Sequence, residues 1–295
     1  MDVCLAPGKY VVAVSGGVDS VALLDLLVNL EGVKPIVAHF DHGIREDSKN
    51  DRMFVEGLAK KYKLSFVYDE GNLGAGVSEA TARDARYKFL RRVHQISDTR
   101  AIVTAHHADD ILETAVLNML RGTGRKGLSS LRSTNEIIRP LIDVSKSDLI
   151  TYANEHGLVW HEDSTNSDSK YLRNYVRNKI IPRFDSASKV RLRSIIDTAY
   201  EMNLEIDNAL ANQLHVQPSS GVIDKYWFIT LPHLVSREVV VAWLRAKNIT
   251  DLNEKLINRI VTLAKVLPNN KKIDVDADHI IVVESDKLAL IKRDR

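Results

Sequence analysis

The run Tyr10-Val11-Val12-Ala13-Val14-Ser15-Gly16-Gly17-Val18-Asp19-Ser20-Val21-Ala22-Leu23-Leu24 joins an apolar, β-branched stretch, a turn and the opening of a helical pattern. Residues 10–14 read as a buried strand, because a short apolar run stopped by Ser-Gly-Gly suits a strand covered on both faces. Residues 18–30 read as a helix. The turn between them suits an anion. Gly16 and Gly17 lack Cβ atoms, so backbone N–H groups there, and at Val18, can close on phosphate oxygens. The helix start adds about half a positive charge, and Ser15 and Ser20 can donate from their hydroxyls. No Gly-Lys-Ser/Thr follows and the spacing is not Gly-x-Gly-x-x-Gly, so this is neither a Walker loop nor a dinucleotide turn. A carboxylate among phosphates repels them, so Asp19 is expected beside Mg²⁺ or the reacting group. The alternative is a plain strand–helix turn.

Outward from this run, strands and helices alternate. Residues 35–40, 64–68, 101–105 and 137–142 read as further strands, and 47–62, 78–96 and 107–121 as the helices between them. That alternation predicts a doubly wound, mainly parallel α/β sheet. Ser145 with Asp148 three residues on is a capping box that opens another helix, and Gly157 stops it. Residues 162–170 read as a polar loop, and 171–181 as a basic helix ended by Pro182.

The pattern changes near residues 182–188, which places a domain boundary near residue 187. Residues 1–187 form the expected catalytic domain. Residues 188–295 form a smaller, mostly helical accessory domain, with helices over 190–214, 236–247 and 252–267 and a strand over 226–230. The alternating segments 272–275, 280–283 and 288–291 predict a short antiparallel sheet at its end.

Composition narrows the chemistry. The 41 basic and 39 acidic residues leave a net charge of +2, so an RNA partner depends on local clustering of arginines. Arginines do bunch: Arg83, Arg86, Arg91 and Arg92; Arg121 and Arg125; Arg173, Arg177 and Arg183. Solvated helix faces are the other reading of those clusters. Cys4 is the single cysteine, which excludes an internal disulfide, a thiolate zinc site and an iron–sulfur cluster held by this chain's own thiolates. A reducing cytoplasm is the expected setting. No run of 18 apolar residues is present, so no membrane association is expected.

The hexapeptide Ser15-Gly16-Gly17-Val18-Asp19-Ser20 resembles the signature of the PP-loop ATP pyrophosphatases, which cleave ATP between its α and β phosphates and adenylate a substrate oxygen. Further segments are similar to one family within that group, the tRNA(Ile)-lysidine synthetases. They are Ala38-His39-Phe40-Asp41-His42-Gly43-Ile44-Arg45, the stretch from Glu79 to Leu90 with Ala82-Arg83 and Arg86-Tyr87, the stretch from Thr104 to Thr114, Leu120-Arg121-Gly122-Thr123-Gly124, Arg139-Pro140-Leu141, Asp163-Ser164-Thr165-Asn166, and Arg173-Asn174 with Arg177. The resemblance runs over residues 10–185. It implies ATP-dependent adenylation of the C2 oxygen of the wobble cytidine in a CAU-anticodon tRNA(Ile), then attack by the ε-amine of L-lysine, with release of AMP and pyrophosphate. ATP and Mg²⁺ are the implied cofactors. Another tRNA-modifying or amidating enzyme of the superfamily, or a non-catalytic nucleotide- or tRNA-binding module, remains the alternative. The oligomeric state is open, a homodimer being one option.

Candidate roles follow. His106, Asp110 and Glu113 are spaced four and three apart, as on one helix face, and two carboxylates suit the lysine ammonium and can take its proton. An acidic first turn favoured by the helix dipole is the blander reading. Arg86 and Arg177 are candidates for neutralising charge on the α-phosphate or on departing AMP. His39 is expected beside the adenine. Arg83, Arg121, Arg125 and Arg173 are candidate RNA contacts, and Asp19 is the candidate Mg²⁺ ligand. The His39/His42 and His106/His107 pairs do not make a zinc site by spacing alone.

Overall fold

A computed structural model describes residues 1, 3–43, 48–71, 74, 77–161, 172–213 and 221–293. Ile44, Arg45 and the Asp163-Ser164-Thr165-Asn166 segment lie outside the described residues. Two compact units divide the chain, Met1–Tyr200 and Glu201–Arg295.

The first unit carries a five-stranded parallel sheet in the order β3-β2-β1-β4-β5. Its strands are β1 (Gly8–Ala13), β2 (Val33–Asp41), β3 (Ser65–Glu70), β4 (Ala101–Val103) and β5 (Ile137–Ile138). Helices α1 (Val18–Val28), α2 (Ser48–Lys61), α3 (Glu79–Ile96), α4 (Ala108–Leu120) and α5 (Lys146–Glu155) complete the alternation. Period-two side-chain alternation splits each strand between two cores. Tyr10, Val12, Val37, Ala101 and Val103 face α1, α2 and α5 in one. Val11, Ala38 and Ile102 meet Tyr87, Phe89, Leu90 and Val93 of α3 in the other. Both faces are covered, as the expected doubly wound sheet requires.

The chain builds β1, β2 and β3 outward on one side, then returns to place β4 and β5 on the other. The order therefore reverses between β1 and β4, and the crevice past their carboxyl ends is where such sheets bind ligands. The turn after β1 is the glycine loop; the turn after β4 carries His106 and His107.

β5 is shorter than residues 137–142, because Arg139 leads into Pro140, which cannot donate to a ladder. The basic helix breaks into three turns: α6 (Leu172–Tyr175), a π-helical turn (Val176–Ile180) and a 3₁₀ turn (Ile181–Arg183) containing Pro182. Helix α7 (Ser186–Gln213) runs on without a break where the composition changes, and the division between units falls within it.

The second unit packs α8 (Lys225–Thr230), α9 (His233–Ala246) and α10 (Glu254–Val266) with a four-stranded antiparallel sheet, order β6-β9-β8-β7. Its strands are β6 (Val222–Asp224), β7 (Lys271–Asp274), β8 (His279–Val283) and β9 (Lys287–Lys292). The terminal sheet agrees with the alternating pattern, whereas residues 226–230 form no strand. Asp224 caps that segment by accepting from the Trp227 amide at 2.7 Å, and a short helix follows that buries Phe228. Trp243, Phe228, Val239, Ile260 and Ile281 centre this unit's core.

Candidate active site

The glycine loop is built to leave helical amides open. Gly16 has φ +97°, whereas Gly17 is ordinary extended backbone at φ −74° and serves as the N-cap of α1. Only Gly16 uses the left-handed freedom of glycine. Gly17 offers no side-chain acceptor, so the first-turn N–H groups of α1 have no cap from it. Ser20 braces the loop from within. Its Oγ accepts from the amides of Ser15 and Gly16, each at 3.2 Å, and donates to the Gly17 carbonyl at 2.9 Å. Its hydroxyl hydrogen is thus committed to the loop, and Ser15 is the exposed hydroxyl. His161 backs the loop: its amide donates to the Gly16 carbonyl at 3.0 Å, and its ring stacks on Phe54 and donates to Asp51 at 2.8 Å.

His39 lies buried at the end of β2, and its Nδ1–H donates to the Val14 carbonyl at 2.9 Å. A carbonyl can only accept, so Nε2 is left as an acceptor. Burial lowers its pKa.

His106 sits in the turn before α4 rather than on the helix, with Nδ1 2.9 Å from Thr104 Oγ1. Burial drives its pKa far below the ordinary histidine value. His107 is the N-cap, and its amide donates to Asp110 Oδ2 at 3.0 Å. Its Nε2 lies 3.7 Å from Asp19 and 3.5 Å from Asp110, so one imidazole links the phosphate loop to the α4 carboxylates.

Asp110 and Glu113 are buried, at 8% and 3% exposure, and both hold Arg177. Arg177 donates to the two Glu113 oxygens at 2.7 and 2.8 Å and to Asp110 Oδ1 at 3.3 Å. The π-helical turn presents this guanidinium, a local widening that recurs at functional sites. The two carboxylates are pushed apart. Burial alone would raise Asp110, but the adjacent His107 imidazole and amide and Arg177 hold it below the usual range. Burial outweighs Arg177 at Glu113 and raises it. Burial opposes the Arg177 charge, yet the two carboxylates outweigh it and raise its pKa.

Of the remaining arginines, Arg173 borders that triangle, with its Nε 3.7 Å from Glu113 Oε2. Arg86 is half-exposed overall, yet its Nε is buried without a hydrogen-bond partner and burial lowers its pKa. Its guanidinium and that of Arg83 approach the Tyr87 ring at 5.4 and 4.8 Å. Arg173 is tied to Glu79 at 3.0 Å and Thr114 at 3.2 Å. Arg121 is exposed at the end of α4, and Arg125 is half-buried just beyond it.

Two participants have no motif in the sequence to mark them. Lys146 Nζ donates to Asp19 Oδ1 at 2.6 Å, and its amide to Asp109 Oδ2 at 2.8 Å. The available signal is a lysine at the first position of α5, where the helix dipole disfavours a cation. The other, His161, gives no signal.

A nucleotide-binding crevice at the switch point of a parallel sheet, entered by a Ser-Gly-Gly-Val-Asp-Ser loop, defines the class. Residues 5–184 match the family model of the PP-loop domain, and the chain belongs to that ATP-binding family. Within it, the chain is similar to the tRNA(Ile)-lysidine synthase of Thermotoga sp. (strain RQ2), 39% identical over 189 residues, 60% of this chain and 46% of that protein. It is also similar to the tRNA(Ile)-lysidine synthase of Solibacter usitatus (strain Ellin6076), 29% identical over 279 residues, 92% of this chain and 60% of that protein. The chain spans about half the length of the curated relatives it matches. Among solved structures, the U34-tRNA thiolase NcsA from Methanococcus maripaludis gives a TM-score of 0.50 at 16% identity, covering 67% of this chain and 74% of that one, a likeness of fold alone. No described helix is long and apolar enough to cross a membrane.

Proposed function

We propose that this chain is an AMP-forming, ATP-dependent ligase that makes lysidine at the wobble cytidine of a CAU-anticodon tRNA(Ile). The observation that carries the reading is the continuous link from Asp19 in the phosphate loop through His107 to the Asp110–Arg177–Glu113 triangle. The likeness to curated lysidine synthases supports the substrate class.

The α1 amides and the exposed hydroxyl of Ser15 take the phosphates, with Ser20 holding the loop shape. His39 Nε2 is an acceptor suited to the adenine amino group. Among the described residues no three His, Cys, Asp or Glu side chains converge on a metal position. Mg²⁺ at a nucleotide needs only one or two carboxylates, because phosphate oxygens and water fill its other positions, and Asp19 offers one. When bound, the ion supplies neutralisation of phosphate charge.

The C2 oxygen of the cytidine bonds to the α-phosphorus as the bond to the β-phosphate oxygen breaks. The lysine amine then bonds to C2, AMP departs with the C2–O electron pair, and a proton leaves the nitrogen. All four oxygens of Asp110 and Glu113 face protein partners. Arg177 shifts to the α-phosphate as the lysine ammonium takes its place. One cation replaces another, so the buried pair is never left with uncompensated charge. Glu113, the carboxylate with the raised pKa, is the better proton acceptor, while Asp110 stays ionised. Arg86 stands ready for the departing AMP. Arg83, Arg121, Arg125 and Arg173, with the accessory region after residue 187, hold the RNA.

The test is incubation with ATP, labelled lysine and a CAU-anticodon tRNA(Ile). The expected result is ATP-dependent label in the RNA, with AMP and pyrophosphate in equal amounts. Label entering only from another amine, or no RNA accepting it, would refute the assignment.

A further inference from the structure

Three arginines gather around Tyr87 without a counter-ion. Arg83 and Arg86 of α3 approach its ring at 4.8 and 5.4 Å. Arg139, directly after β5, interacts with the same side chain and with the Arg83 charge. Among the described residues none of the three pairs with a carboxylate. The arginines around them do. Arg91, also at that ring, donates to Glu136 at 2.8 Å, Arg92 to Asp69 at 2.6 Å and Arg173 to Glu79 at 3.0 Å.

The unpaired cluster is held in place by the fold. Arg139 is only 6% exposed; its amide donates to Ser133 Oγ at 2.9 Å and its guanidinium to the Arg132 carbonyl. The Nε atoms of Arg86 and Arg139 are buried without a hydrogen-bond partner. Burial lowers the pKa of both guanidiniums, and the Arg83 charge adds to that. Like charges brought together out of water are costly unless an opposite charge joins them, so the cluster is complete only with an anion.

Its place in the crevice indicates which anion. Arg139 follows β5 and His106 follows β4, both at the carboxyl edge of the sheet. His106 is a common neighbour of two charge systems, Asp110 of one sign and Arg139, Arg86 and Arg83 of the other. The nucleotide phosphates have the loop after β1. The ammonium of the amine substrate has Asp110 and Glu113. Lysine carries a carboxylate at its other end, and this cluster is the unpaired positive charge beside the acidic pair.

Resting on the reading of Asp110 and Glu113 as the ammonium site of the proposed function, we infer that Arg86 and Arg139, with Arg83 beside them, hold the α-carboxylate of the incoming lysine. The carboxylate supplies the missing counter-charge, and a planar guanidinium can meet it with two parallel hydrogen bonds. Arg86 has five donors, so an edge remains for departing AMP. The cluster thereby selects an α-amino acid over a simple diamine, whose ammonium alone would satisfy Asp110 and Glu113.

The test measures by calorimetry the affinity of the full chain for L-lysine and for 1,5-diaminopentane, which is lysine without its carboxylate. Wild type is compared with Arg86→Gln and with Arg139→Lys, which keeps the buried charge but removes the planar fork; melting temperatures check the fold. Wild type should bind lysine at least about tenfold more tightly than the diamine, the range of a charge-assisted hydrogen bond. Arg86→Gln should bring that ratio close to one without weakening the diamine, and Arg139→Lys should lower it part of the way. Equal affinity for the two amines in wild type, or binding of neither, would overturn the inference. So would a ratio that persists in both variants; a fall in tRNA affinity alongside it would assign the arginines to RNA phosphates instead. Amine binding requires no turnover of RNA. A chain that prefers lysine through these arginines yet puts none into RNA would sustain this inference and refute the lysidine reading.

Discussion

Glu113 keeps its carboxylate at 3% exposure because Arg177 meets it with two parallel hydrogen bonds. A buried charge without such a partner would cost several kcal/mol. His106 solves the same problem by staying neutral. In the unfolded chain it takes a proton near 6.5, whereas burial holds the folded value far below that. Below 6.5 the unfolded state therefore binds a proton that the folded state refuses, and folding stability falls as pH drops through that window. His39 shifts in the same direction and adds to the effect. The urea midpoint should fall between pH 7 and pH 5, and His106→Gln should show a shallower fall; an unchanged slope in that variant would refute the neutral buried imidazole. At this scale the sequence reveals residue types and spacing. It does not reveal that His106 lies off the helix bound to Thr104, or that Lys146 reaches Asp19, since that second partnership links positions 127 apart.

The phosphate loop is the element whose geometry is most legible, because its chemistry is local: a strand, a glycine with positive φ, and a helix start. Gly16→Ala places a side chain at φ +97°. Its Cβ would meet Phe54 at 3.4 Å, an ordinary contact, so the strain comes from the backbone. The substitution should lower stability by about 1–3 kcal/mol, read from the urea midpoint, and weaken nucleotide binding. A variant as stable as wild type would show that the loop adopts another conformation. The cap at Ser145 is equally legible, with the Asp148 amide donating to Ser145, although the Asp148 carboxylate accepts from the Ser145 hydroxyl at 2.6 Å, and not from its amide as a full capping box would have it. Residues 226–230 mislead. Tyr-Trp-Phe-Ile has the residue types of a strand, but Asp224 supplies a cap, and burial of Phe228 is satisfied by one helical turn. The π-helical turn that presents Arg177 leaves no local sequence mark.

For the whole molecule, each unit has its own apolar core, and these answer to different substitutions. Trp243 is fully buried in the second unit, so Trp243→Ala should cost that unit about 3–5 kcal/mol. Calorimetry should show its transition lowered while that of the first unit stays where it is; lowering of both would mean that the units fold as one. By itself the sequence determined the alternation of strands and helices, the phosphate loop and the family, because hydrophobic period, turn chemistry and contiguous motifs are properties of neighbouring residues. Only the tertiary structure decided how the crevice is wired. The reversal of strand order between β1 and β4 brings Asp19 of α1, His107 and Asp110 at the start of α4, Lys146 of α5 and Arg177 of the π-helical turn together. The ionisation of Glu113 and Arg177 follows from burial and from their pairing across 64 positions of chain, which no local reading contains.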